Sequence, residues 1–75
     1  MKLDDFTLTI ADQFDDININ EVHADTRYRD LEEWSSMVAL SILNVVQKKY
    51  GKSISFDDLN IATTIEELFN IVKTR

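Results

Sequence analysis

Tyr28-Arg29-Asp30-Leu31-Glu32-Glu33-Trp34-Ser35-Ser36-Met37-Val38-Ala39-Leu40-Ser41-Ile42-Leu43 decides how this chain is read. An acidic segment with no helical period gives way, at a pair of serines, to a largely apolar run. Serine is a strong N-cap residue, so Ser35-Ser36 marks a helix start. Ala39, Ile42, Leu43, Val46 and Tyr50 follow as one apolar stripe, which predicts a helix from Ser36 to Tyr50. Gly51 then stands where a left-handed residue closes a helix, and Lys48 and Lys49 suit the negative end of the helix dipole. The hydroxyl of Ser36 thus lies in the first turn, where unpaired backbone N–H groups and the dipole favour an anion. Ser36 is a candidate attachment point for a phosphodiester.

On the N-terminal side, Leu3, Phe6, Ile10, Phe14 and Ile17 recur at spacings of three and four, predicting a first helix from residue 3 to about residue 16. Thr7 and Thr9 weaken its intrinsic propensity, so packing has to support it. Residues 17–34 have no sustained period and read as a long loop, with Ile17, Ile19, Val22 and Leu31 available to tie it down. On the C-terminal side, Ser55-Phe56-Asp57-Asp58 opens a short helix through about Ile61. Thr64-Ile65-Glu66-Glu67 has the form of a capping box before a last helix with the stripe Ile65, Leu68, Phe69 and Val72. The expectation is an all-α domain over residues 1–75, with three longer helices and one short one.

Composition narrows the function. At 75 residues the chain is one small domain with a limited core. It has no cysteine, hence neither disulfides nor thiolate metal sites. No apolar run approaches membrane-spanning length and no signal peptide is visible, so a cytoplasmic protein is expected. The net charge of −6 argues against nucleic acid as a partner. Ten of the fourteen acids lie in residues 1–33 and the other four in residues 57–75. The central helix therefore carries no acid and, with Lys48 and Lys49, is neutral to basic within an acidic protein.

The order of these features resembles the acyl carrier and peptidyl carrier protein family over nearly the whole chain, most specifically over residues 28–51. The family pattern is an aromatic residue, a variable residue, Asp-Leu, a short turn, then Asp-Ser-Leu opening an apolar helix that closes on an aromatic and often a glycine. Here it corresponds to Tyr28, Asp30-Leu31, Glu32-Glu33-Trp34, Ser35-Ser36-Met37 and Tyr50-Gly51. Ser55-Phe56-Asp57-Asp58-Leu59 and Thr63-Thr64-Ile65-Glu66-Glu67-Leu68 resemble the family's third helix and the entry to its fourth. The resemblance implies an acyl carrier protein-like four-helix bundle acting as a stand-alone, monomeric carrier. It also implies 4′-phosphopantetheine attached covalently to Ser36 by a phosphopantetheinyl transferase. The arm's thiol would hold an acyl or aminoacyl group for fatty acid, polyketide or nonribosomal-type biosynthesis. A cargo-loading ligase and downstream acyl-processing enzymes would be the further partners, and the chain itself would not be an enzyme.

Two departures from the pattern stand out. Ser35 replaces the family aspartate, which keeps the cap and removes the charge that helps dock the transferase. Met37 replaces the leucine and keeps an apolar anchor. The surface of the central helix then offers apolar rather than acidic contacts. Met37, Ser41 and Lys48 oppose the core stripe, and Val38 and Val45 flank it. Trp34, Ser35, Met37, Val38, Ser41 and Val45 are the candidate partner surface. Trp34 also suits a part-buried anchor that fixes the loop, and Val38 and Val45 equally suit cover for the edge of the bundle. The alternative function is an unmodified interaction module that keeps the carrier fold. No metal site is expected: Asp16, Asn18 and Asn20 have the spacing that opens a calcium loop, but Glu21 and Arg27 stand where it needs glycine and glutamate. A hydrolase reading of Ser36 fails as well, because the only histidine is His23 and no glycine lies near Ser36.

Overall fold

The computed structural model describes residues 1–75 as four α-helices, α1 (Leu3–Ala11), α2 (Ser36–Tyr50), α3 (Phe56–Ile61) and α4 (Ile65–Lys73). Two 3₁₀ turns, Ile19–Glu21 and Tyr28–Asp30, interrupt the loop between α1 and α2. There are no strands, and the architecture is the expected helical bundle with one short helix.

The first helix is shorter than its apolar period suggested. It ends at Ala11 instead of continuing to residue 16, and the N–H groups of Gln13 and Phe14 turn back to the carbonyls of Ile10 and Ala11. Asp12, Asp15 and Asp16 crowd negative charge at a helix end that is already negative, and no basic residue offsets them. Asp16 then takes a left-handed conformation, with φ 57°. Phe14 is nevertheless buried, delivered to the core by the turn. Thr7 and Thr9 are also buried. Their hydroxyls donate to the carbonyls of Leu3 and Asp5 one helical turn back, so neither is left unsatisfied.

The other three helices begin and end where their caps place them. Ser55 and Asp58 form a reciprocal capping box at α3. Thr64 caps α4 through the N–H of Glu67, but the Glu67 carboxylate accepts from Thr63 N, one residue further back than a capping box requires. Ile65 and Glu66 donate their N–H groups to the carbonyls of Thr26 and Ala24, so the long loop closes the start of α4. All four apolar residues expected of α4, Ile65, Leu68, Phe69 and Val72, are buried.

Phe6, Ile10, Ile42, Val46, Leu59 and Leu68 fill the centre of the core, with Phe6 edge-on to Phe69 at 5.5 Å. α1 packs on α4, and α3 packs on both α2 and α4. At the far end of α2, Lys49 donates to Thr9 at 2.7 Å and Tyr50 donates to Asp5 at 3.1 Å, joining α2 to α1. No helix is long and apolar enough to cross a membrane.

Of the four residues expected to hold the loop, Val22 is buried, Ile17 and Leu31 are half-buried against the core, and Ile19 is exposed. The principal anchor is Tyr28, which is fully buried.

Candidate functional site: the start of helix α2

Ser35 is in extended conformation (φ −154°, ψ 169°), and its Oγ accepts from the N–H of Val38 at 3.2 Å. Its carbonyl accepts the first helical hydrogen bond, from Ala39 at 3.0 Å. Ser35 therefore caps the helix and Ser36 is its first residue, with its side chain exposed to solvent. The N–H groups of Ser36 and Met37 have no acceptor within the protein, and no acid lies in the first turn. An accessible hydroxyl, two free N–H donors and no competing carboxylate fit a phosphodiester at this position.

The segment leading into Ser36 is held from behind. Trp34 donates its N–H to the carbonyl of Leu31 at 3.0 Å. Its ring is half-buried, 6.1 Å from Phe14 and 5.5 Å edge-on from Tyr28. Tyr28 donates its hydroxyl to the carbonyl of Leu59 at 2.6 Å, with the carbonyl of Ala62 at 3.2 Å. Burial pushes the Tyr28 phenol up to about 12, against the pull of the adjacent Arg29 guanidinium. Arg29 Nη2 in turn donates to the carbonyls of Asn60 at 3.0 Å and Ala62 at 2.8 Å.

The candidate partner surface is redrawn by the helix's rotation. Val38, grouped with that surface from the sequence, is only 7% exposed and belongs to the core. The buried stripe of α2 is Val38, Ala39, Ile42 and Val46, turned toward Val38, while Leu43 and Tyr50 are only half-buried. Trp34 lies in the loop-anchoring position, between Phe14 and Tyr28. Met37 is 79% exposed, Ser35 is exposed, and Ser41 and Val45 are partly so. The sequence reading missed Leu40, which is 51% exposed. It shares a face with Met37 and Asn44 at spacings of three and four, a signal obscured because α2 is apolar on most of its circumference. It also missed Arg29, whose partners lie about thirty residues away in the chain. No group of three or more His, Cys, Asp or Glu side chains is arranged to hold a metal ion.

A family model described as the phosphopantetheine attachment site matches residues 5–72. The chain belongs to this family. Membership means a carrier domain whose cofactor is a covalently attached 4′-phosphopantetheine arm. Carriers of this family interact with a phosphopantetheinyl transferase and with processing enzymes. No curated protein and no solved structure matches the chain.

Proposed function

We propose that residues 1–75 act as a single carrier domain in which the Ser36 hydroxyl bears the 4′-phosphopantetheine arm. The observation that carries this reading is positional: Ser36 is the exposed first residue of a capped helix, ahead of two unpaired N–H groups. The bound arm supplies a terminal thiol that holds cargo as a thioester. The chain's own part is to orient the attachment oxygen and to surround the phosphate with the positive end of α2. No acid in the turn is placed to deprotonate Ser36, which suits a hydroxyl modified by another protein. The domain is itself no catalyst and passes an acyl or aminoacyl group from a loading ligase to downstream enzymes of fatty acid, polyketide or nonribosomal-type biosynthesis. Met37, Leu40 and Val45 offer those partners apolar contact, with the Ser41 hydroxyl among them, and Asp30, Glu32 and Glu33 provide electrostatic steering.

Intact mass spectrometry tests the assignment. The full chain, incubated with coenzyme A and each of several transferases, is expected to gain one phosphopantetheine group, and Ser36→Ala is expected to gain none. An adduct that survives Ser36→Ala moves the site to another residue. No adduct with any transferase leaves the unmodified interaction module, a reading favoured by the missing carboxylate at position 35.

A further inference from the structure

We infer that Arg29 is a positioning residue, which locks the C-terminal end of α3 onto the loop that presents Ser36, so that a partner meets both as one surface. The consequence for partners rests on Ser36 being the attachment point; the lock itself does not.

α3 has six residues, too few to hold its shape by helix propensity alone. Its last turn exposes unpaired carbonyls, as every helix end does. Here those carbonyls are taken up by side chains from far away in the chain: Leu59 O by Tyr28, Asn60 O by Arg29, and Ala62 O by both. A guanidinium at this end also meets the negative pole of the helix. Arg29 reaches so far inward that its Nε–H is buried without a protein acceptor. Ile61, between two of the clamped residues, stays 71% exposed, so the clamp fixes the backbone and leaves that side chain free to meet a partner. On the other side of the clamp, the Tyr28 ring packs on Trp34, two residues before Ser36. The path from α3 through Arg29 and Tyr28 to Trp34 consists entirely of direct contacts. Arg27, two residues earlier, is exposed and makes no side-chain hydrogen bond or ion pair, although it carries the same charge.

Three measurements on Arg29→Gln, with Arg27→Gln as the charge-matched control, decide the matter. Amide hydrogen exchange from Leu59 to Ala62 is expected to accelerate about tenfold or more in Arg29→Gln, while α1 and α4 keep their protection. The emission of Trp34, the chain's only tryptophan, is expected to shift. In transfer from coenzyme A, the KM for the carrier is expected to rise about threefold or more with kcat retained, because the chemistry at Ser36 is untouched and its presentation is not. Arg29→Lys restores part of each effect, since it keeps the charge but carries its donor on a shorter stem than the Nη2 that bridges both carbonyls. Identical behaviour of Arg29→Gln and Arg27→Gln overturns the inference, as does an acceleration of exchange spread evenly over all four helices. If the unaltered protein takes up no phosphopantetheine, the proposed function fails, and exchange and emission still decide whether the clamp exists.

Discussion

At Ser35 the chain keeps a cap and gives up a charge. The hydroxyl satisfies the N–H of Val38, so Ser35→Ala should lower stability by about 0.5–2 kcal/mol in urea unfolding. Ser35→Asp preserves the cap and restores the carboxylate that the family pattern places beside the attachment serine. It should leave stability unchanged within about 0.5 kcal/mol and accelerate transfer of phosphopantetheine. A slower transfer would remove the docking role of that carboxylate. Tyr28 sets a second residue-scale expectation. Its folded pKa of about 12 lies above the ordinary 10.0, because burial opposes the phenolate. The resulting stability is fully present below about pH 10 and is lost as pH rises toward about 12, a loss of about 2–3 kcal/mol. Urea midpoints read by circular dichroism at a series of pH values, with tyrosinate absorbance in parallel, should show that loss. Tyr28→Phe, less stable at neutrality for want of the bonds to Leu59 and Ala62, should lose less on alkalinisation.

At the scale of elements, the helices differ in where their stability originates. α2 carries its own boundaries, with Ser35 at one end and left-handed Gly51 (φ 66°) at the other. Its limits were therefore legible residue by residue. α1 was not, because the apolar period runs on through Phe14 and Ile17 after the acids at 12, 15 and 16 have ended the helix. α3 depends on partners. Its N-terminal carboxylate, Asp58, is held below the usual 3.8 chiefly by the hydrogen bond from Arg75 at 2.5 Å, with the Ser55 N–H adding to it. A carboxylate depressed in the folded state stabilises above its unfolded pKa, and that contribution disappears as pH falls through the folded value. Arg75→Gln should therefore be less stable than the unaltered protein at about pH 7. The gap should narrow, as read from urea midpoints, as pH falls below 3.8 and through the folded value of Asp58. A constant gap across that range would show that Arg75 acts through packing and not through Asp58.

The whole molecule is small enough for each core contact to matter. A domain of 75 residues has an expected stability of about 4–11 kcal/mol. Leu68 is fully buried on α4, where its neighbours include the core that α1 also covers. Leu68→Ala should cost about 2–5 kcal/mol, with a large drop in the thermal midpoint by calorimetry. What the sequence determined by itself is what neighbouring residues decide: the caps at Ser35, Ser55 and Thr64, the stop at Gly51, the buried stripe of α4 and the position of Ser36 in a first turn. Each depends on groups within about one turn of each other, so each survives in a linear reading. Only the tertiary structure decided that Val38 is core and Leu40 surface. α2 is apolar around most of its girth, and only its packing against the other helices selects the side that faces inward. The same holds for Tyr28 and Arg29 on the carbonyls of residues 59–62, for Arg75 on Asp58, and for the loop that closes α4. In each case a polar group is satisfied by a partner distant in the chain, and that pairing exists only once hydrophobic burial has brought the two together.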